Sequence, residues 1–141
     1  MSKNTNATLI SGFPGIGKSY FFNNSDLEVS DSDSSKFPKE DFPANYMKHI
    51  KLIRQEKNII LISSHDLVRK ALVENKLDFV LVYPDRSLKQ EYIERFEKRG
   101  SEGAFIDFID VYWHDFIDQM EQQTGCEKIV LKSGQYLSDV L

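Results

Sequence analysis

Gly12-Phe-Pro-Gly-Ile-Gly17-Lys18-Ser19 is the stretch on which the reading of this sequence turns. It satisfies the pattern G-x-x-x-x-G-K-[S/T] at every fixed position, and its flanks supply the context the pattern needs. Upstream, Ala7-Thr-Leu-Ile-Ser11 is short, apolar and β-prone, while downstream Lys18–Asn23 predicts a brief helix. Glycines let consecutive backbone N–H groups turn inward as a cradle for phosphate oxygens, which a β-carbon would obstruct. The following helix adds the positive end of its dipole. In such a cradle Lys18 reaches the β- and γ-phosphates as a point charge and the Ser19 hydroxyl ligates Mg²⁺. The expected contact set is Gly12, Phe13, Pro14, Gly15, Ile16, Gly17, Lys18, Ser19 and Tyr20. The bland alternative is a glycine-rich turn with an incidental Lys-Ser.

Working outward, the rest of the chain alternates strands and helices. Leu27–Ser30 predicts a second strand that runs into Asp31-Ser-Asp-Ser-Ser35, and Pro38 and Pro43 keep the next segment irregular. Asn45–Glu56 carries Met47, Ile50 and Ile53 at helical spacing. Asn58–Ser63 and Asp78–Tyr83 are continuous apolar runs, the pattern of strands covered on both faces of a parallel sheet. Between them Asp66–Asn75 predicts a helix with Leu67, Ala71 and Leu72 on one face. Ser87–Arg99 is a helix stopped at Gly100. Phe105–Gln123 is amphipathic, with Phe105, Phe108, Ile109, Tyr112, Trp113, Phe116 and Met120 expected inward. Ile129–Leu131 and Tyr136–Leu141 complete the series as a short strand and a terminal turn or helix. This rhythm implies one α/β domain over 1–141, an open three-layer and mostly parallel sheet with right-handed crossovers. Its irregular parts suggest an acceptor-binding insertion at about 32–57 and a short lid at about 86–104.

Composition narrows the function classes. The chain has 141 residues, 40% hydrophobic and 28% charged, in the range of a single globular domain. Lys and Arg total 18 against 22 Asp and Glu, and the net charge of −4 argues against a general nucleic-acid binder. No apolar run approaches the roughly 20 residues of a membrane helix, so no membrane partner is expected. The polar Ser2–Asn6 leaves no room for a signal peptide before the first apolar run. With Cys126 as the sole cysteine, no internal disulfide or thiolate cluster is expected, and a cytoplasmic setting follows.

Several side chains are candidates for chemistry beside the loop. Asp31 and Asp33 lie at the carboxyl end of the second strand, where ligands of open α/β sheets gather. Asp31 is expected to face Mg²⁺ and Asp33 to orient the acceptor or accept its proton; the alternative is a solvated turn. On the helix after the fourth strand, Arg95 and Arg99 fall near the apolar arc of Leu88, Tyr92 and Phe96, as a clamp on the transferring phosphoryl would. A surface ion pair from Glu91 to Arg95 is the competing reading. Arg86 and Lys36 are candidate contacts of an anionic acceptor. His65 is either an acceptor contact or a helix cap with its neighbours. His49 and His114 lack a second ligand at metal spacing.

Together these pieces resemble the P-loop kinases of the nucleoside monophosphate kinase and shikimate kinase type. The resemblance rests on Gly12–Ser19, on Asp31-Ser-Asp33, and on the arginine-bearing Glu94-Arg-Phe-Glu-Lys-Arg99. In size and style small phage-type deoxynucleotide kinases look closest. The resemblance implies the P-loop NTPase fold with a five-stranded parallel sheet in the order 2-3-1-4-5. It also implies ATP with Mg²⁺, transfer of the γ-phosphoryl to a small acceptor, lid arginines at Arg95 and Arg99, and an adenine contact at Ser133-Gly134-Gln135. The sequence departs from adenylate kinases after the third strand, where Ser63-Ser-His65 stands in place of Asp-Gly-x-x-Arg. A nucleoside monophosphate is the expected acceptor. The competing functions are a regulatory ATPase acting through a protein partner and a polynucleotide 5′-kinase.

Overall fold

Aliphatic runs too apolar to face water on either side form the centre of the fold, and helices cover them. The computed structural model describes residues 6–32 and 34–141. Its strands are β1 (Thr8–Gly12), β2 (Val29–Ser32), β3 (Ile59–Ser63), β4 (Val80–Pro84) and β5 (Glu127–Leu131). They make one all-parallel sheet in the order β2-β3-β1-β4-β5. Parallel neighbours need crossover connections. These are α1 (Lys18–Asn24), α2 (Ala44–Ile53), α3 (Asp66–Glu74), and α4 (Lys89–Lys98) followed by α5 (Gly103–Gln122); α6 (Leu137–Val140) ends the chain. The chain moves from β1 towards β2 but in the opposite direction at every later crossover. Right-handed connections therefore put α1 on the opposite face from α2 and α3. The packing agrees, since α1 contacts α6 while α2 contacts α3 and α5 contacts β4.

The interior strands are sealed, with Ile10, Ile60 and Leu81 fully buried. An aromatic cluster ties the loop after β1 to the helices: Phe13 meets Trp113 edge-on at 5.6 Å between ring centroids and Tyr92 at 6.2 Å. Such pairs contribute about 0.5–1.5 kcal/mol each beyond simple burial. The Trp113 indole N–H is satisfied by the Arg86 carbonyl at 2.9 Å.

Four local expectations are corrected. β2 is shifted towards its carboxyl end, and Asp31 lies within it, because Asp31 and Ser32 pair with Leu61 and Ile62 of β3; ladder pairing overrides the low strand propensity of Asp. On α3 the buried side is Val68, Arg69, Ala71 and Leu72, so Leu67 faces outward, 48% exposed. On α5 the inward stripe is Ile109, Trp113, Ile117 and Met120. Phe108 and Tyr112, expected inward, are 51% and 45% exposed at the margin of that stripe. The helix expected over Ser87–Arg99 opens with a 3₁₀ turn over Arg86–Leu88, and only residues 99–102 connect α4 to α5. Among the described residues no helix is long and apolar enough to cross a membrane.

Candidate functional site

β1 delivers the chain to Gly12 at the carboxyl edge of the sheet, and residues 13–17 carry it over that edge into α1. Gly15 and Gly17 hold φ of +85° and +91°, backbone that a β-carbon disfavours. At Gly15 packing adds a second requirement: a β-carbon would lie 2.9 Å from the Phe96 ring and 3.2 Å from the Tyr92 ring. The side chains of Phe13 and Ile16 are spent on the core, so the loop presents its backbone rather than these side chains. Lys18 Nζ folds back over it and donates to the Gly12 carbonyl at 2.7 Å. Two long-range bonds brace the loop, from the Phe13 N–H to the Val82 carbonyl (3.0 Å) and from the Leu137 N–H to the Ile16 carbonyl (2.8 Å). Ser19 and Tyr20 are exposed on the first turn of α1.

A clasp from α4 and the segment after β5 holds the other side of the loop. Arg95 donates from Nη1 to the Gly15 carbonyl (2.8 Å) and from Nη2 to Glu91 (2.9 Å) and the Gln135 carbonyl (3.2 Å). Its guanidinium carbon lies 4.3 Å from the Tyr92 ring centroid and 3.9 Å from that of Tyr136. Glu91 also accepts from the Ser133 hydroxyl (2.7 Å) and the Gly134 N–H (2.9 Å). The Gly134 N–H, the Ser133 hydroxyl and Arg95 hold the Glu91 carboxyl below its ordinary pKa. Arg99 lies over the Phe96 ring at 4.9 Å and donates from Nε to Ser101 at 3.0 Å. Burial pulls its pKa down. Gly15, Gly17, Arg95, Lys98, Arg99 and Tyr136 surround an open cavity of about 340 Å³. Arg95, Arg99, Gly134 and Gln135 are thus brought to the loop, with Gly134 and Gln135 engaged through their backbone.

On the sheet side a second cavity of about 270 Å³ lies between the ends of β1, β2 and β3, lined by Gly12, Pro14, Lys18, Asp31, Ser32 and Ser63, among others. The chain leaves β1 towards β2 and leaves β3 in the opposite direction, so a crevice opens between their carboxyl ends. Ligands of open α/β sheets bind at such a switch point. Among the described residues no three His, Cys, Asp or Glu side chains converge to hold a metal. Asp31 lines this cavity and Ser19 is exposed on the first turn of α1; these two are the residues that could serve a Mg²⁺ keeping water and substrate phosphates as its other ligands. Asp33 lies outside the described residues. Lys36 is exposed at the end of a 3₁₀ turn next to this strand end.

A third cavity, also about 270 Å³, adjoins the second and shares Pro14, Ser63 and Ser64 with it. Phe105, Phe108 and Phe116 of α5 and Arg69 of α3 line it. His65 caps α3, its Nδ1 accepting from the Leu67 N–H at 3.2 Å, and borders the same cavity. Arg86 is placed elsewhere, against His114, Asp118 and Glu121 of α5. A further cavity of about 570 Å³ lies at the amino ends of β1, β4 and β5, on the edge away from the loop.

Three groups escaped the sequence reading. Glu91 was weighed only as an ion-pair partner, and its bonds to Ser133 and Gly134 span more than forty residues. Tyr136 packs on Gly17, where a β-carbon would lie 3.0 Å from its ring. Arg69 did carry a signal, because it lies one residue from Val68 and three from Leu72 on the buried arc of α3. No family model, curated protein or solved structure matches this chain.

Proposed function

We propose that this chain has the P-loop NTPase fold and is an ATP-dependent phosphotransferase, moving the γ-phosphoryl of MgATP to a small acceptor, a nucleoside monophosphate foremost. The observation that carries the reading is the position of Gly12–Ser19: glycines of positive φ at the end of the central strand β1, beside the switch-point crevice that Lys18 and Asp31 line. The backbone N–H groups of the loop bind the phosphates, and Lys18 exchanges its bond to the Gly12 carbonyl for the β- and γ-oxygens. Bound Mg²⁺ would neutralise charge on those phosphates, with Ser19 and Asp31 as its protein ligands.

The remaining residues position and stabilise. The cavity beside Tyr136 and Arg99 suits the donor base, which stacks on aromatic and guanidinium faces. Arg95 is committed to the loop, with three of its N–H groups on the Gly15 carbonyl, Glu91 and the Gln135 carbonyl. Arg99, whose terminal nitrogens have no partner among the described residues, is the better placed to meet developing charge on the transferring group. Asp33 would orient the acceptor. Chemistry of this kind is mainly positioning and electrostatics.

Incubation with MgATP and a panel of nucleoside monophosphates, nucleosides and hydroxy acids is expected to give ADP only when the right acceptor is present. ADP formation that no acceptor stimulates would overturn the reading. It would favour a regulatory ATPase, a second reading for which the four-residue connection at 99–102 speaks, since it leaves little chain to enclose an acceptor.

A further inference from the structure

The cavity between α3 and α5 has a wall chemistry that the loop does not explain. Arg69 is only 5% exposed, and burial lowers its pKa. It donates from Nε to the Ser64 carbonyl (2.8 Å), from Nη1 to Gln123 Oε1 (2.7 Å) and from Nη2 to Gln119 Oε1 (3.3 Å). All three partners are neutral, and among the described residues no carboxylate forms an ion pair with it. A guanidinium has five N–H groups, so two remain without a hydrogen-bond partner among the described residues, where a buried unsatisfied donor is costly; the Asp66 carboxylate offsets part of the cost of burying the charge.

The neighbouring Gln119 has the same sense. A guanidinium cannot accept, so Gln119 must turn its oxygen to Arg69 and keeps its amide N–H₂ as a donor at the cavity. His65 also borders the cavity, its Nδ1 3.2 Å from the Leu67 N–H and 3.0 Å from Asp66 Oδ1. The exception is Asp66 at the rim, its side chain 65% exposed and its Oδ1 engaged by the Leu67 N–H at 2.9 Å. Aromatic rings line the same cavity: Phe108 and Phe116 lie 5.4 Å apart between centroids, and Phe108, which also meets Tyr112 at 5.2 Å, is half exposed.

We infer that this cavity holds the ring of the acceptor and selects a base whose edge bears hydrogen-bond acceptors without an amino group. The inference rests on the phosphotransfer reading and names its substrate class. Guanine offers O6 and N7 side by side, and thymine or uracil offers O4. Adenine and cytosine turn an amino group to the same wall, where it meets another donor and leaves Arg69 unpaired. The ring stacks on Phe108 and Phe116. The shared lining at Pro14, Ser63 and Ser64 leads from the ring to the crevice at Lys18, where the acceptor's phosphate meets the transferring group.

The test is calorimetric titration of the full chain, saturated with MgADP, with guanosine, thymidine, adenosine and cytidine monophosphates, run beside the MgATP transfer assay. Guanine and thymine nucleotides are expected to bind about tenfold or more tightly than the other two. Phe108→Ala, at an exposed position, weakens all of them by about tenfold through lost stacking. Gln119→Leu narrows the preference without abolishing binding, and it avoids the buried Arg69, whose replacement risks the fold. Equal affinities, preference for adenine or cytosine, or no mononucleotide binding would overturn the inference. Selective binding without transfer would keep it and remove the kinase reading. Transfer to a non-aromatic acceptor would do the reverse.

Discussion

Replacing Gly15 with alanine tests how the glycine loop is held, because the motif leaves that position free and only its positive φ and its packing demand glycine there. Two costs add. An alanine at φ +85° pays about 1–2 kcal/mol for left-handed backbone. Its β-carbon, at 2.9 Å from one buried ring and 3.2 Å from another, pays about 1–3 kcal/mol for overpacking, since Phe96 and Tyr92 have no solvent to move into. The sum, about 2–5 kcal/mol, is a large fraction of a typical domain's stability. It corresponds to a fall in Tm of about 6–20 °C for a chain of this size. Gly100→Ala separates the terms, because Gly100 shares the positive φ (+78°) but a β-carbon there meets nothing within 4 Å. It should cost only the backbone term, about 1–2 kcal/mol. Denaturant unfolding of both variants gives the two numbers directly. Equal losses for the pair, or a Gly15→Ala variant as stable as the parent, would refute the claim that Phe96 and Tyr92 shape the loop.

Other expectations follow from the same surroundings. Tyr92 is fully buried, its hydroxyl has no partner at hydrogen-bond geometry among the described residues although the Arg95 guanidinium lies close by, and burial pushes its pKa up to about 12. Tyr92→Phe should therefore leave stability unchanged or raise it by up to about 1 kcal/mol, and a clear loss in denaturant unfolding would show that the hydroxyl is bonded. Arg95→Lys keeps the charge but loses the fork that reaches Gly15, Glu91 and Gln135 together. It should cost about 1–3 kcal/mol in denaturant unfolding and weaken MgATP binding, whereas a silent substitution would contradict the clasp. The Glu91 carboxyl is depressed by the Gly134 N–H, the Ser133 hydroxyl and Arg95, so its ionised form contributes stability above the ordinary carboxylate pKa of about 4.3 that is lost as pH falls through the lower folded value. The Tm advantage of the parent over Glu91→Gln should accordingly be full near neutral pH and shrink below about pH 4, and a gap independent of pH would remove Glu91 from the clasp.

The parts of the fold legible in the sequence are those dictated locally. Ile59–Ile62 and Leu81–Tyr83 are too continuously apolar for anything but a doubly covered strand, and the glycines of the loop announce backbone that other residues avoid. The parallel sheet and its strand order follow the expectation that the resemblance raised. What was misplaced depends on partners distant in the chain. Asp31 enters β2 only because β3 offers a ladder. Phe108 looked like core because helical periodicity gives the centre of an apolar stripe better than its margin. Arg95 was legible as a cation on an apolar arc, but its attachment to the Gly15 carbonyl joins residues eighty positions apart, and no local pattern encodes that. Arg69 was hidden by the assumption that Leu67 marked the buried face of α3.

The most direct measurement is a titration of MgATP into the parent chain and into Lys18→Ala, with circular dichroism confirming that both are folded. Saturable binding by the parent, weakened at least about tenfold in the variant by loss of a charge-assisted phosphate contact, is the predicted result. Absence of MgATP binding by the folded parent, or equal affinity in the two proteins, would contradict the assignment of Gly12–Ser19 as a phosphate-binding loop.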